Sequence, residues 1–221
     1  MTRVILATLL AAAAASGCAP DVDTPAPPKE AETAPAVNLT ALSTDPSQAV
    51  GLFRGDGVVK VGDTWEKARA LIPGPSTAYE LHDLPKKLPE QFEVKGWETS
   101  EGEGYGMILY QDRIVAAMYQ LQGTKEDEVN EFYTSESKGM GPITPTTYVG
   151  NGLRFWFWKD DKTRQSTMMC AQQKRRGIDL TIAMGDDQIL DVLGATDTNA
   201  RKLTLLTGGK PAADSAVVGL R

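Results

Sequence analysis

The sequence predicts an α+β protein in which an antiparallel sheet meander carries helices packed on one face. Strand-like alternation of apolar and polar residues, clearest over 178–184, predicts a sheet whose apolar side is buried. Two amphipathic segments, beginning near residues 64 and 125, each end in a Gly/Pro cluster and predict helices. The 221 residues are 41% hydrophobic and 24% charged, which is typical of one globular core of modest size.

The N-terminal segment has the pattern of an export signal. Arg3 supplies a positive charge, and Val4–Ala15 is a run of 12 small or aliphatic residues interrupted by one threonine. A bilayer-spanning helix needs about 20 apolar residues, so this run is too short to span. We therefore expect residues 1–17 to be a signal peptide.

The run ends in Ala15-Ser16-Gly17-Cys18, which resembles the lipobox of bacterial lipoproteins. The resemblance covers residues 1–18 and implies that Cys18 becomes the first mature residue, carrying acyl chains on its sulfur and its amine. Two or more acyl chains anchor a protein stably in a membrane. In the family's sorting rule, Ala19 rather than Asp after the cysteine implies the outer membrane in preference to the inner. The alternative is an ordinary secretory signal in which Cys18 is incidental.

Composition changes after Cys18. Residues 20–50 hold six of the chain's 13 prolines, together with Ala, Thr, Glu and Asp. Such a segment buries too little apolar surface to offset the entropy of ordering it. We expect residues 18–50 to be a disordered tether between the lipid and a globular domain at 51–194.

The first half of that domain reads as a helix followed by strands. Asp63 or Thr64 is a suitable N-cap for a helix over 65–72, which Pro73-Gly74-Pro75 ends. Residues 91–99 alternate as a strand, and two strands flanking Gln111-Asp112 predict a hairpin.

The second half repeats that order. Glu126, Asp127 and Glu128 favour a helix start, and the segment 138–142 ends the helix. The remaining expected elements are strands over 153–159, 165–172 and 178–184, a short helix over 187–193, and a loosely ordered tail over 195–221.

This order of elements indicates either a diverged tandem repeat of one helix and three strands or a single meander. With Val61-Gly62-Asp63-Thr64 opening a helix that ends at Pro73-Gly74-Pro75, the domain resembles the SmpA/BamE-type outer-membrane assembly lipoproteins and the tandem-repeat β-lactamase-inhibitor-like proteins. The resemblance implies a domain that binds other proteins and catalyses nothing.

The most unusual stretch is Leu153-Arg154-Phe155-Trp156-Phe157-Trp158. Strand alternation places Arg154, Trp156 and Trp158 on one face. That face either lies under a helix or is an exposed surface of a composition enriched at binding hot spots. Trp rings also stack on sugars and cations, so a glycan or cell-wall contact is an alternative to a protein partner.

Catalytic and metal constellations are sparse in the sequence. Glu98, Glu101 and Glu103 lie in a Gly-rich segment that reads as a solvated turn, and His82 is the chain's only histidine. One histidine and two cysteines do not make a zinc site, and no nucleophile-elbow motif is present. We expect no enzyme, no cofactor and no metal; a hydrolase using these carboxylates is a weaker alternative.

The charge balance and the remaining motifs indicate no further activity. Lys and Arg number 23 against 29 Asp and Glu, so nucleic-acid binding is not expected. Cys170 reads as a buried small hydrophobe, Lys174-Arg175-Arg176 as a hairpin turn, and Arg54-Gly55-Asp56 is too short to be informative. The sequence thus predicts a membrane-anchored lipoprotein of the cell envelope whose domain binds an envelope protein or a glycan.

Overall fold

The computed structural model describes residues 37–42, 51–52, 59–71, 79–80, 88–98, 103–206 and 210–211. Within these residues the chain forms an antiparallel sheet of nine strands, a separate two-stranded ribbon, four α-helices and one 3-10 turn. The α+β class and the antiparallel sheet predicted from the sequence are therefore confirmed.

The strands are numbered in chain order. The ribbon pairs β1 with β2, and the large sheet has the order β11-β7-β8-β9-β10-β6-β5-β4-β3. The strand bounds are β1 Gly51–Leu52, β2 Val59–Lys60, β3 Tyr79–Glu80, β4 Phe92–Glu98, β5 Gly104–Tyr110, β6 Arg113–Thr124, β7 Thr146–Gly150, β8 Leu153–Asp160, β9 Gln165–Lys174, β10 Gly177–Asp186 and β11 Lys210–Pro211. The helices are α1 Trp65–Leu71, α2 Glu126–Gly139, α3 Asp187–Val192 and α4 Asp197–Leu206.

Local sequence explains why the predicted hairpin forms. Gln111 and Asp112 both have positive φ, 51° and 59°, as the two central residues of a tight hairpin turn require. The turn pairs Tyr110 with Arg113, and an irregularity between Ile108 and Leu109 then shifts the register of β5 against β6 by one residue. Beyond it, Tyr105 pairs with Tyr119 and Met107 with Ala117. The hairpin, the strand over 91–99 and the three later strands are thus confirmed within a few residues at their ends.

Helices α1 and α2 pack on one face of the sheet, which we call the α2 face. In α1, the Thr64 hydroxyl accepts the Lys67 backbone N–H at 3.2 Å and caps the helix. In α2, the Glu128 carboxylate accepts the Lys125 backbone N–H at 2.7 Å. The apolar stripe of α2 then joins the central strands in one buried cluster, whose α2 members are Val129, Phe132 and Tyr133.

The opposite face is covered by short elements, contrary to the expectation that all helices share one face. Ile189 and Leu190 of α3 and Ala200 of α4 are buried against this second face. The expectation of a loose tail from residue 195 is wrong at 197–206, which form α4. The Thr196 hydroxyl accepts the Asn199 backbone N–H at 3.3 Å and caps this helix.

A short N-terminal segment also lies on the second face. Residues 37–42, which we call the strap, contain a 3-10 turn, and Val37, Leu39 and Leu42 pack against the apolar cluster there. The Asn38 backbone N–H donates to Gln188 Oε1 of α3 at 2.8 Å. The expected disordered tether over 18–50 is therefore wrong at the strap, because three apolar side chains find a site on the sheet.

The strand order favours the tandem repeat over a single meander. A continuous meander would place β6 beside β7, whereas β6 pairs antiparallel with β10 at the centre of the sheet. The meanders β4-β5-β6 and β8-β9-β10 thus lie side by side, and their adjacent strands β6 and β10 run antiparallel. The helix that precedes each meander, α1 or α2, packs on the α2 face. Gly62 and Gly123, both with positive φ, precede α1 and α2 at equivalent places.

None of the helices in the described part of the chain combines the length and the apolar character needed to cross a membrane.

Candidate functional site

The face of β8 that carries Arg154, Trp156 and Trp158 is the α2 face. Trp158 is 0% exposed, and its ring lies 5.8 Å from that of Tyr133 on α2. The Tyr133 ring also lies 5.5 Å from that of Trp156, which is partly buried. Of the two alternatives that the sequence left open for this face, the structure has the one in which a helix covers it.

Arg154 is held at the edge of the same face. Its guanidinium forms two hydrogen bonds with the Glu126 carboxylate of α2, at 2.5 and 2.8 Å, and lies 5.5 Å from the Trp156 ring centroid. These contacts tie β8 to the first turn of α2. A partner surface made of all three residues would require Trp158 to leave the core, so this geometry does not favour the predicted contact set.

Glu103 differs from the solvated turn expected for its segment. It is 5% exposed, and its carboxylate accepts hydrogen bonds from the hydroxyls of Tyr105, at 3.2 Å, and Tyr119, at 3.0 Å. The two tyrosine rings lie 4.9 Å apart within the apolar cluster of the α2 face. The expectation of a solvated turn is therefore wrong for Glu103, which has a structural role because its partners hold it in the core.

Several other sequence predictions lie outside the described residues. These are Cys18 with its signal peptide, His82, Glu101 and the Arg54-Gly55-Asp56 tripeptide. Cys170 is described and buried, and burial raises the pKa of its thiol to about 12. The thiol is thus protonated at neutral pH, as expected for a packing residue rather than a nucleophile.

The second face holds an open groove, which we call the Asp187 groove. It has a volume of about 710 Å³, within the range of roughly 300–1,000 Å³ typical of small-molecule sites. It lies between the start of β7 and the α3–α4 connection, with strands β8 and β9 at its base. Its lining residues are Ile143, Thr144, Thr146, Phe157, Lys159, Ser166, Asp187, Gln188, Leu190, Asp191, Ala195, Thr196, Asp197 and Thr198.

A fixed polar network forms one wall of the groove. Asp187 accepts a hydrogen bond from the Ser166 hydroxyl and lies 3.4 Å from the Lys159 ammonium, while its own backbone N–H donates to the Arg164 carbonyl. On the opposite wall, the Tyr148 hydroxyl donates to Asp197 Oδ1 at 2.8 Å. These contacts hold two of the three groove carboxylates in place.

The electrostatics of this wall keep Lys159 charged. The Asp187 carboxylate raises the pKa of Lys159 above its usual range, with a smaller contribution from Asp161 against the opposing effect of partial burial. Lys159 therefore stays protonated at neutral pH and does not serve as a base for the Ser166 hydroxyl. The wall offers an ammonium, a hydroxyl and carboxylate oxygens as hydrogen-bonding groups.

Sequence reasoning missed the groove. Its lining comes from residues between 143 and 198, and no single motif contains it. Part of the signal was present, since Thr196 followed by Asp197 is a good helix start and Ala200 and Thr204 recur at helical spacing. The strand Thr146–Gly150 was also signalled by its β-prone Thr-Thr-Tyr-Val sequence.

Two negative findings complete the description of the site, one on metal ions and one on known proteins. In the part of the chain that the structure describes, no group of three or more His, Cys, Asp or Glu side chains is arranged to hold a metal ion. No family model, no curated protein and no solved structure matches the chain. The evidence for a function therefore lies in the sequence and in the geometry of the groove.

Proposed function

We propose that the chain is a lipid-anchored protein of the bacterial cell envelope whose α+β domain binds another molecule without catalysing a reaction. The observation that carries the binding role is the Asp187 groove, with its volume of about 710 Å³ and its fixed polar wall. A preformed concave site with a few oriented polar groups is the usual form of a ligand site.

The anchoring part of the proposal is supported by the lipobox-like sequence that ends at Cys18. The strap places residue 37 on the same face as the groove, in contact with α3. Nineteen peptide steps separate Cys18 from Val37, and a fully extended chain covers at most about 3.3–3.6 Å per residue. A lipidated Cys18 would thus keep this part of the domain within roughly 65 Å of the membrane.

Lipid attachment is tested by labelling cells with a radioactive fatty acid and separating membranes from soluble proteins. Wild type and Cys170→Ser should be labelled and sediment with membranes, whereas Cys18→Ser should be unlabelled and soluble. Cys170→Ser is a matched control because it removes the chain's other cysteine. Labelling that persists in Cys18→Ser would overturn the anchoring proposal.

Binding at the groove is tested by photo-crosslinking in cells from a photoreactive amino acid at position 191, with position 175 as the control. Asp191 lines the groove, whereas Arg175 lies in the exposed turn at the opposite end of β10. We expect one defined adduct from position 191 that is missing from position 175. Equal patterns from both positions, or adducts from neither, would contradict a groove-specific partner.

A second candidate, a binding surface made of Arg154, Trp156 and Trp158, is the original prediction from the sequence. The contacts of these residues with α2 do not favour it. A glycan remains a candidate ligand class, through the groove rather than through a Trp pair.

A further inference from the structure

We propose that the Asp187 groove binds a neutral saccharide of about di- or trisaccharide size. This inference rests on the proposed binding role of the groove and adds the chemical class of its ligand. Three features carry it: the hydroxyl-rich lining, the charge balance of the groove, and an aromatic ring at its base.

The lining matches the hydrogen-bonding pattern of a polyol. Four threonine hydroxyls and the Gln188 amide line the groove together with carboxylates. Threonine hydroxyls and amides both donate and accept, and carboxylates accept strongly from hydroxyl groups. Gln188 Oε1 already accepts from Asn38, and the Thr196 hydroxyl already accepts from Asn199. A sugar hydroxyl also donates and accepts, so a saccharide can pair with the hydroxyls of Thr144, Thr146 and Thr198 and with the Asp191 carboxylate.

The charge balance disfavours anions. Three aspartates and one lysine line the groove, and Lys159 is already paired with Asp187 at 3.4 Å and with Asp161 at 3.6 Å. An anionic ligand would meet the uncompensated carboxylate of Asp191, which is exposed. Repulsion from this carboxylate disfavours phosphates, carboxylates and acidic glycans.

Cationic ligands are a weaker match than neutral ones. Asp187 already interacts with an ammonium and a hydroxyl, and Asp197 accepts the Tyr148 hydroxyl. Only Asp191 offers a carboxylate without such a contact, so a single charge would attract a cation, and solvent screens it. A cation would also leave the threonine hydroxyls of the lining without a specific partner.

Phe157 supplies the apolar contact that sugar rings need. It lines the groove, and its ring is partly buried within the apolar cluster of the second face. The C–H side of a pyranose can lie against an aromatic ring while its hydroxyls contact the polar walls. Phe155 and Phe157 lie on the same face of β8, with Phe155 buried in the core and Phe157 at the groove, so β8 contributes to both.

The test uses the full-length Cys18→Ser protein, which carries no lipid, and three neutral trisaccharides: maltotriose, mannotriose and chitotriose. Binding is measured by chemical-shift perturbation of the protein's amide signals, at sugar concentrations up to about 10 mM, where even millimolar sites are largely occupied. We expect one of the three to bind and to shift amides of 187–198.

Two groove variants and one distant control locate the binding. Asp191→Asn keeps the size of the side chain but removes its charge, and it should weaken sugar binding about tenfold, since hydrogen bonds to charged groups are the stronger ones. Phe157→Leu should weaken binding by a similar factor while filling most of the same space. Arg175→Gln, at the far end of β10, should bind the sugar as the parent does.

Each contrary outcome has a distinct meaning. Failure of all three sugars to bind would overturn the saccharide inference, as would sugar binding that neither groove variant weakens. Binding of trilysine in place of the sugars would overturn it in favour of a cationic peptide and leave the groove as a binding site. Failure of the proposed function itself would instead be seen in cells, as adducts from neither position 191 nor position 175.

Discussion

The two faces of the sheet are closed in different ways. The long helix α2 covers much of the α2 face beside the shorter α1, with Tyr133 against Trp156 and Trp158 and an ion pair at its first turn. Short pieces cover the second face: the strap, α3 and α4, which leave the Asp187 groove between them and the strands. The aromatic-rich strand is thus conspicuous in the sequence because most of it is core, whereas the groove lies where coverage is interrupted.

The two faces should differ most in how much stability is lost when a side chain of β8 is truncated on each of them. Trp158→Ala should lower the free energy of unfolding by about 3–5 kcal/mol, because the ring is fully buried beneath α2. Phe157→Ala should cost about 1–2 kcal/mol, because its ring is partly exposed at the groove. Equilibrium denaturation in urea measures both values, and equal losses would contradict the asymmetry.

A conservative variant refines this comparison. The indole N–H of Trp158 has no acceptor within the described part of the chain, so replacing the ring by phenylalanine leaves no new unsatisfied group. Trp158→Phe should therefore cost much less than Trp158→Ala.

The junction of the two meanders, between β6 and β10, should be the next most sensitive place to substitution. A Cβ atom at Gly185 would lie 2.6 Å from the Ala116 Cβ and 2.7 Å from the Val115 carbonyl oxygen. Gly185→Ala should thus cost about 1–3 kcal/mol through overpacking between β10 and β6. Gly141→Ala is the control, because a Cβ there meets nothing within 4 Å and adds only the strain of a positive φ. In a thermal-unfolding series, a Gly185→Ala protein as stable as the wild type would show that the β6–β10 contact is looser than described.

The ion pair on the α2 face should contribute less to the free energy of unfolding than the close contact at Gly185 does. Glu126→Gln should lower the stability by about 1 kcal/mol or less, because the pair is partly exposed and the charge also favours the start of α2. Glu131→Gln, an exposed position on the same helix, should change stability by a smaller amount. The difference between the two should shrink as salt is added, and a difference that salt leaves unchanged would argue against an electrostatic origin.

A further difference in stability concerns the wall of the groove and depends on pH. Burial and the hydrogen bond to Asp197 raise the pKa of Tyr148 from 10 to about 12. The unfolded chain therefore loses this proton first, so the stability contributed below pH 10 is lost as the pH rises to about 12. Lys159, whose pKa is also raised, adds a loss in the same direction.

Replacing Tyr148 tests this assignment. The stability of Tyr148→Phe, measured by urea denaturation between pH 9 and 11.5, should fall less steeply than that of the wild type. An unchanged slope would mean that the pKa of Tyr148 is the same in the folded and the unfolded chain, and the described burial and contact with Asp197 would then be absent in solution.

Much of the fold could be predicted because its signals are local. Gln111-Asp112 marks a hairpin, and the alternation over 178–184 marks a strand, since each pattern depends on neighbours in sequence. Alternation also placed Trp156 and Trp158 on one face, but it could not say whether a helix covers that face. That answer depends on α2, whose Tyr133 lies more than 20 residues away in the chain.

The rest depends on contacts between distant segments. The burial of Glu103 follows from Tyr119 on another strand, and the strap is held by Gln188, 150 residues from Asn38. Helix α4 was missed because its first turn, Asp197-Thr198-Asn199, is polar and its apolar stripe is narrow, so its stability comes from packing on β7 and from the Thr196 cap. The groove needs α4 in place, so it could not be predicted either.

Native-state hydrogen exchange can show whether the α2 face is closed core and the groove face is the accessible one. We expect amides of α2, over 126–139, to exchange only through global unfolding, while those of α3, α4 and the strap exchange through local opening. Faster exchange in α2 than in α4 would contradict this expectation, because α2 would then act as a lid and Arg154, Trp156 and Trp158 would become accessible to a partner.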